Sequence, residues 1–211
     1  MTTSTDITNA GRRRAPEERP QQILDAAFHE FGERGLGGAR LDDIARRAGV
    51  AKGTIYLYFP NKEALFEEMV RATLIEAITV AERAEYAHET DSIEALVRKL
   101  AAWWWHFLRT DRVTTIHRLA VAELHHFPDL MQFYADEVIT RGRRLVAGII
   151  ARGVERGEFR PIDPQLAARM YSAIWLSHAT WAANRRFHPT LGSDEQLLND
   201  MLDFYLAAIK R

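Results

Sequence analysis

Apolar residues recur three and four positions apart along almost the whole chain after residue 20, and no stretch alternates between apolar and polar with a period of two. The first pattern is typical of amphipathic helices, and the second would have indicated strands. Glycines and prolines divide the helical pattern into segments. The sequence therefore predicts an all-α fold, with helices over residues 20–34, 40–48, 52–59, 62–83, 92–110, 113–126, 129–156, 164–187 and 194–210.

The polarity of the chain changes along its length and divides it into three parts. Residues 1–16 are rich in polar residues and arginine and almost free of apolar ones, so we expect a disordered arm. This arm is either a solvated tail or a contact to DNA. A compact unit over residues 17–77 follows. Residues 78–211 are expected to form a larger helical domain, reached through the long helix predicted from residue 62.

Two of the predicted helices are short and are separated by a turn that contains Gly49. This spacing is typical of a helix-turn-helix motif, whose first helix braces a second helix lying in the DNA major groove. Apolar side chains are available to hold the two helices together: Ile44, Ala45, Val50, Ile55 and Phe59. The residues left to face outward have the chemistry that a phosphate-lined groove requires: Lys52, Gly53, Thr54, Tyr56 and Tyr58.

The charge of this segment differs from that of the whole chain. The chain carries 28 Lys and Arg against 29 Asp and Glu, a net charge of -1. Residues 40–62 carry five cations against two anions, a local charge of +3, with Arg40 at one end and Lys62 at the other. A basic surface within a neutral chain favours binding to the phosphates of double-stranded DNA.

The segment over residues 41–65, LDDIARRAGVAKGTIYLYFPNKEAL, resembles the DNA-binding motif of TetR-family transcriptional regulators. The similarity extends over residues 20–74. It implies an N-terminal three-helix DNA-binding domain joined by a long helix to a C-terminal domain that binds a ligand and forms a homodimer. The resemblance also implies that Lys52, Gly53 and Thr54 lie near bases and backbone. It assigns phosphate contacts to Tyr56, Tyr58 and Lys62.

One departure from the family pattern concerns the start of the bracing helix. The family often has Thr or Ser there, whereas this chain has Ala39 and Arg40. Loss of such an N-cap hydroxyl costs about 1 kcal/mol of helix stability, and it also removes a phosphate contact. We expect the charge of Arg40 to replace that contact.

Residues 78–211 contain all five tryptophans and several histidines. Aromatic walls with a few polar anchors are typical of a pocket for a largely apolar small molecule. On the helix predicted over 92–110, Trp103 and Trp104 fall in the apolar sector, whereas Trp105 lies at its margin. We expect a pocket wall, with core packing as the alternative for each residue, from Trp105, His106, His117, Tyr171, Trp175 and His178.

The helix predicted over 164–187 is apolar on nearly all sides, so most of its surface must be covered. The TetR-family resemblance implies a four-helix dimer interface, to which we assign 164–187 and 194–210. A two-fold homodimer presents two recognition helices to the half-sites of a palindromic operator. The residues expected at this interface are Leu166, Met170, Ile174, Trp181, Leu198, Leu202 and Tyr205.

Other classes of protein are disfavoured by residues that the chain lacks. Without cysteine there is no disulfide, no thiolate nucleophile and no thiol-based redox sensor. No dinucleotide, P-loop or nucleophile-elbow motif occurs, so we expect neither an enzyme nor a cofactor, and we expect no metal. The longest apolar stretch, 145–151, is shorter than the roughly 18 residues of a membrane helix. No apolar stretch follows the arginines at 12–14, as a secretory signal would require.

These patterns together predict a cytoplasmic, ligand-responsive DNA-binding regulator that contacts no membrane. We expect a repressor that is released from its operator by a small molecule. Two alternatives remain. An architectural DNA-binding protein without an effector would not need a long helical extension dense in tryptophan. A small helical enzyme is less favoured, because no catalytic motif was found.

Overall fold

In a computed structural model of the chain, the structure describes residues 18–85, 92–182 and 193–211. Helices make up most of these residues, and the extended pairing within them is an isolated bridge between Phe159 and Lys210. The all-α prediction is confirmed. The helices are α1 (Arg19–Gly38), α2 (Leu41–Ala48), α3 (Lys52–Tyr58), α4 (Lys62–Val70), α5 (Glu76–Glu85), α6 (Ile93–Phe107), α7 (Asp111–Glu123), α8 (Pro128–Tyr134), α9 (Arg141–Glu155), α10 (Pro164–Ala182) and α11 (Asp194–Ile209).

Some predictions fall on residues outside the described ranges. These are the disordered arm over 1–16 and the last part of the helix predicted to reach residue 187. The side chain of Trp181 also lies outside the described part of the chain.

Backbone conformations at two glycines end the first helices near the predicted positions. At Gly35, φ is 73°, which interrupts the helical path of α1 directly after residue 34. At Gly49, φ is 68°, and this residue closes α2. Glycine adopts this left-handed conformation at little cost because it has no Cβ. Asn61 then begins α4 by accepting a hydrogen bond from the backbone N–H of Ala64 at 2.7 Å.

Two of the three longest predicted helices are each interrupted by a π-helical turn. The helix predicted over 62–83 consists of α4, a π turn over Arg71–Ile75, and α5. The helix predicted over 129–156 consists of α8, a π turn over Ala135–Thr140, and α9. A π turn is rare and is frequently found at functional sites. Here both turns border the cavity described below.

Buried apolar side chains form two clusters, which we call the first core and the second core. The first core joins α1–α4, but it also takes in Val113, Ile116 and Leu119 from α7 and Leu130 from α8. The second core joins α6, α9, α10 and α11. The unit expected over 17–77 therefore shares its core with two helices that lie much later in the chain. The division of the molecule follows packing rather than chain order.

Candidate functional site

The short helices α2 and α3 form the predicted helix-turn-helix. The turn is tied by a hydrogen bond from Val50 N–H to the carbonyl of Ala45 at 3.0 Å. Ile44 on α2, Ile55 on α3 and Phe59 just after α3 are buried in the first core. Because Ile55 and Phe59 face inward four positions apart, the opposite side of α3 is held outward.

The outward side of α3 is unusually apolar for a protein surface. Tyr56 is 46% exposed, Leu57 84% and Tyr58 37%. Sequence reasoning assigned the two tyrosines to this side but overlooked Leu57, which lies between them. An exposed aliphatic side chain on such a helix suits contact with the methyl group of thymine. The inward position of Ile55 could have identified Leu57, because a residue two positions later on a helix faces the opposite side.

The start of α3 carries the residues expected near bases. Lys52 and Gly53 are exposed, and Thr54 is half-buried. A Cβ placed on Gly53 would meet nothing within 4 Å, so no neighbour in the chain requires glycine there. The absence of a side chain at this position leaves the backbone open to close approach by a phosphate.

Most cations of the basic segment are already paired within the protein. Lys52 Nζ lies 2.8 Å from Asp42 Oδ2, which raises the pKa of Lys52 and lowers that of Asp42. Arg46 pairs with Asp43 at 2.8 Å, and Arg47 pairs with Glu33. The local charge of +3 therefore overstates the free positive charge. Arg40 is exposed; it interacts electrostatically with Asp42, but no side chain of the described residues holds it in a hydrogen bond or ion pair.

Lys62 is used inside the protein in a way that the sequence did not predict. Its ammonium donates a hydrogen bond to the carbonyl of Gly37 at 2.9 Å. It also lies 5.8 Å from the centre of the Phe127 ring. Because the side chain is half-buried against α1 and the segment before α8, the structure gives Lys62 an internal contact in place of an open position for phosphate.

A cavity of about 560 Å³ lies between the two cores, within the range of about 300–1,000 Å³ that is typical of small-molecule sites. Leu74 and Val113 of the first core line one side, and Val146 and Trp175 of the second core line another. Further apolar walls come from Ile78, Trp104, Leu108, Ala120, Val121, Met131, Tyr134, Val138, Ile139, Ala173 and Leu176. Both π turns contribute side chains to this lining.

Three of the six predicted pocket residues line this cavity: His117, Tyr171 and Trp175. Burial lowers the pKa of His117, so its imidazole is neutral at neutral pH. Its Nε2 lies 3.2 Å from Thr180 Oγ1 on α10. Burial also raises the pKa of Tyr171. His117 and Tyr171 therefore offer the cavity uncharged hydrogen-bonding groups.

The other three predicted pocket residues do not line the cavity. Trp105 is buried in the second core, where it stacks on His178 with ring centres 4.0 Å apart. His106 is exposed on α6. The prediction took the wrong sector of α6 as its buried side. Because α9 and α11 pack on the stripe that ends at Trp105, the neighbouring Trp104 faces the cavity instead.

The predicted dimer residues divide into a buried group and an exposed group. Leu198, Leu202 and Tyr205 belong to the second core of their own chain, which corrects their assignment to an interface. Tyr205 even donates a hydrogen bond to the carbonyl of Ala167. Their burial is intramolecular because this side of α11 faces α6 and α10. Exposed or half-buried apolar residues remain on the outer side of α10: Leu166, Met170 and Ile174.

The outer side of α11 adds an aromatic residue that the sequence did not single out. Phe204 is 79% exposed. Together with Ile174, Met201 and Asp200 it borders a shallow depression between α10 and α11. We call Leu166, Met170, Ile174, Met201 and Phe204 the α10–α11 face. An apolar patch of this kind marks a surface for interaction with another macromolecule.

Helix α7 joins the cavity to the DNA-binding unit. One side of α7 lines the cavity through His117 and Ala120. The other side makes polar contacts along α1: Glu123 accepts a hydrogen bond from Gly37 N–H at 2.8 Å, and Arg118 donates to the carbonyl of Gly32 at 2.7 Å. A shift of α7 would therefore be transmitted to α1, which packs directly on α2.

Among the described residues, no helix is both long and apolar enough to cross a membrane. No group of three or more His, Asp or Glu side chains within the described ranges is arranged to hold a metal ion.

The braced recognition helix and the all-helical body define a helix-turn-helix DNA-binding protein. Two families match the chain: bacterial regulatory proteins of the tetR family over residues 23–69, and the C-terminal domain of AefR-like transcriptional repressors over residues 95–208. The chain belongs to the tetR family of bacterial regulatory proteins. It is a DNA-binding transcriptional regulator and not an enzyme.

Individual relatives align over most of the chain. The transcriptional regulator RutR of Escherichia coli strain K12 is 32% identical over 86% of this chain and 82% of RutR. The transcriptional repressor KstR2 of Rhodococcus jostii strain RHA1 is 31% identical over 81% of this chain and 80% of KstR2. The solved structure of FadR from Bacillus subtilis in complex with stearoyl-CoA matches with a TM-score of 0.74 at 24% identity, over 90% of this chain and 98% of FadR.

Proposed function

We propose that the protein is a homodimeric repressor that binds a palindromic operator and is released by a largely apolar small molecule. The match of residues 95–208 to the C-terminal domain of AefR-like transcriptional repressors supports repression. The FadR structure, a complex with stearoyl-CoA, supports the binding of a small molecule with an apolar part.

The observation that carries the proposal is the position of the cavity between the two cores. Its walls include Leu74 and Ile78, which lie on the helical path that continues from the DNA-binding unit through α4 and α5. They also include His117 and Ala120 of α7. A molecule in this cavity would touch both helical connections to the recognition helix.

The proposed mechanism is a shift between two conformations. A ligand that prefers one arrangement of α4, α5 and α7 moves the population towards it. In a homodimer this changes the separation of the two α3 helices, which must match successive major grooves. A coupling free energy of about 1–3 kcal/mol would change operator affinity about 5- to 150-fold.

The proposed dimer forms through the α10–α11 face. A C₂ interface uses the same surface on both subunits, and this face offers apolar side chains with the carboxylate of Asp200 beside them. A test is Phe204→Asp, which would place two carboxylates in the interface. We expect sedimentation velocity to show monomers, and affinity for the full palindrome to fall while affinity for a half-site stays unchanged.

A matched control is Leu57→Asp, which changes another exposed apolar residue on the distant helix α3. It should leave the sedimentation coefficient unchanged. An intact dimer for Phe204→Asp would contradict the interface. A wild-type chain that stays monomeric when it binds the full palindrome would contradict the homodimer itself.

A further inference from the structure

The cavity between the two cores is apolar except at a few positions, and two of these are arginines. Arg143 and Arg169 both line it, and no aspartate or glutamate of the described residues does. Arg143 lies on α9 in a stripe with Ile139 and Val146, four residues before it and three after it, which also line the cavity. An arginine within an otherwise apolar stripe has no explanation in core packing.

Arg169 lies on α10 in the corresponding position. It shares one side of this helix with Ser172, Ala173 and Leu176, which line the cavity three, four and seven residues further on. Its side chain is exposed, whereas Arg143 is half-buried. The two guanidinium groups therefore belong to the inner wall and to the exposed edge of one cavity.

The charge of Arg143 is not compensated by the protein. Its Nε–H is buried and has no hydrogen-bond partner, and the described residues form no ion pair with it. Arg141, two residues earlier on the same helix, donates two hydrogen bonds to the carboxylate of Glu82 and a third to the hydroxyl of Thr79. A guanidinium remains charged at neutral pH, and a buried donor without an acceptor is destabilising.

We infer that the molecule held in this cavity is an amphiphilic anion, with its apolar body along the aromatic and aliphatic walls and a carboxylate or phosphate bound by Arg143, with Arg169 as a second cation at the edge. The inference rests on the proposed function, because it names the chemistry of that effector. The guanidinium fork matches the oxygens of a carboxylate or phosphate and binds them through paired hydrogen bonds. His117 is neutral here and offers no competing cation.

The test uses the full chain and three probes with the same apolar tail. Oleate presents a carboxylate, oleoyl-CoA presents phosphates, and oleyl alcohol presents no charge. Binding is measured by calorimetry and by the fluorescence of Trp104 and Trp175, which line the cavity. We expect oleate or oleoyl-CoA to bind at least about tenfold more tightly than the alcohol, since a hydrogen bond to a charged group contributes about 1.5–3 kcal/mol.

Arg143→Gln keeps a polar side chain and removes the charge. This substitution should lower the affinity for the preferred anion about tenfold or more and leave the affinity for oleyl alcohol unchanged. Arg169→Gln should have a smaller effect in the same direction, because solvent competes at the exposed edge. Arg144→Gln is the matched control, since Arg144 is exposed on the same helix and does not line the cavity.

The outcomes separate this inference from the proposed function. Preference for oleate assigns a free carboxylate, and preference for oleoyl-CoA assigns a phosphate. If the alcohol binds as tightly as the anions, or if Arg143→Gln lowers the affinity for all three probes equally, the inference of an anionic effector is overturned. A neutral effector would then remain compatible with the proposed function. Binding of none of the three probes would also overturn the inference. The proposed function fails only if no occupant of the cavity alters operator affinity.

Discussion

The two cores of this protein leave apolar surface uncovered in different places. The first core is closed around α1–α4, and what remains outside is the row Tyr56, Leu57 and Tyr58 on α3. The second core leaves a cavity against the first and an exposed face on α10 and α11. Apolar surface left over by packing marks a partner. The comparison thus separates the DNA-facing side of α3 from the cavity and the face to which we propose a ligand and a second copy.

Helix α7 connects the two regions. Val113 belongs to the first core and also lines the cavity. On its far side the helix is bound to α1 through Glu123 and Arg118. The cavity wall and the support of the DNA-binding unit are therefore one helix, which gives a physical route from ligand to recognition helix.

The largest expected effect comes from opening a hole in the first core. Phe31 is fully buried and packs edge-on against Phe66 with ring centres 6.3 Å apart. Phe31→Ala should lower the free energy of unfolding by about 3–5 kcal/mol. All five tryptophans lie within residues 78–211, and two of them, Trp105 and Trp175, lie in the second core. In a denaturant titration of this variant, we expect the loss of helix, monitored by circular dichroism, to occur at a lower denaturant concentration than the change in tryptophan fluorescence.

The control for this prediction is a substitution of the same size in the second core. Phe159 is buried there, and Phe159→Ala should move the fluorescence transition to lower denaturant concentration. Coincident shifts of both signals in both variants would mean that the two cores unfold as one unit, which would weaken the comparison.

Helices and their breaks could be predicted from the sequence, because helical periodicity and the glycines at 35 and 49 act locally. The two cores could not. Their composition depends on α7 and α8 packing onto helices more than 40 residues away in sequence, as in the contact between Glu123 and Gly37, 86 residues apart. The π turns were also missed, since a side chain pattern with a period near four does not distinguish them from an α-helix.

A smaller effect is expected on the DNA-facing surface. Cations without an internal ion pair should contribute more to the salt dependence of DNA binding than cations that are already paired. Arg40→Ala should lower the dependence of log K on log salt concentration by about one unit, since one phosphate contact is lost. Arg46→Ala is the matched control because Asp43 already holds that cation at 2.8 Å. The measurement is operator affinity by fluorescence anisotropy across a salt series. An equal change of slope in both variants would show that internal pairing does not decide which cation contacts DNA.

The outward-facing side of α3 could largely be predicted, and the lining of the cavity only in part. The outward direction of Tyr56 and Tyr58 follows from helix geometry once Ile55 is buried. For α6, three consecutive tryptophans offered no such reference, so Trp105 was placed at the pocket and Trp104 in the core. Arg143 was not noticed because a charged residue on a helix is usually solvated. Only the packing of α9 against the cavity distinguishes it from Arg144.

The smallest expected effect concerns the ion pair between α5 and α9. Arg141 holds the pKa of Glu82 below its ordinary value of 4.5. Because the folded-state pKa is lowered, the pair stabilises the protein above that pH, and this contribution is lost as the pH falls below it. Glu82→Gln should cost up to about 1 kcal/mol at neutral pH. Denaturant unfolding of wild type and variant should converge in acid, whereas Glu76→Gln, an exposed control on α5, should match the wild type throughout.

The most direct test of the central claim is operator affinity when the cavity is filled from within. Ala120 lines the cavity, and Ala122 is exposed on the same helix without lining it. Ala120→Trp should push on α7 as a ligand would and lower operator affinity about 5- to 150-fold, while Ala122→Trp leaves it unchanged. A folded, dimeric Ala120→Trp protein that binds its operator as tightly as the wild type would contradict the account.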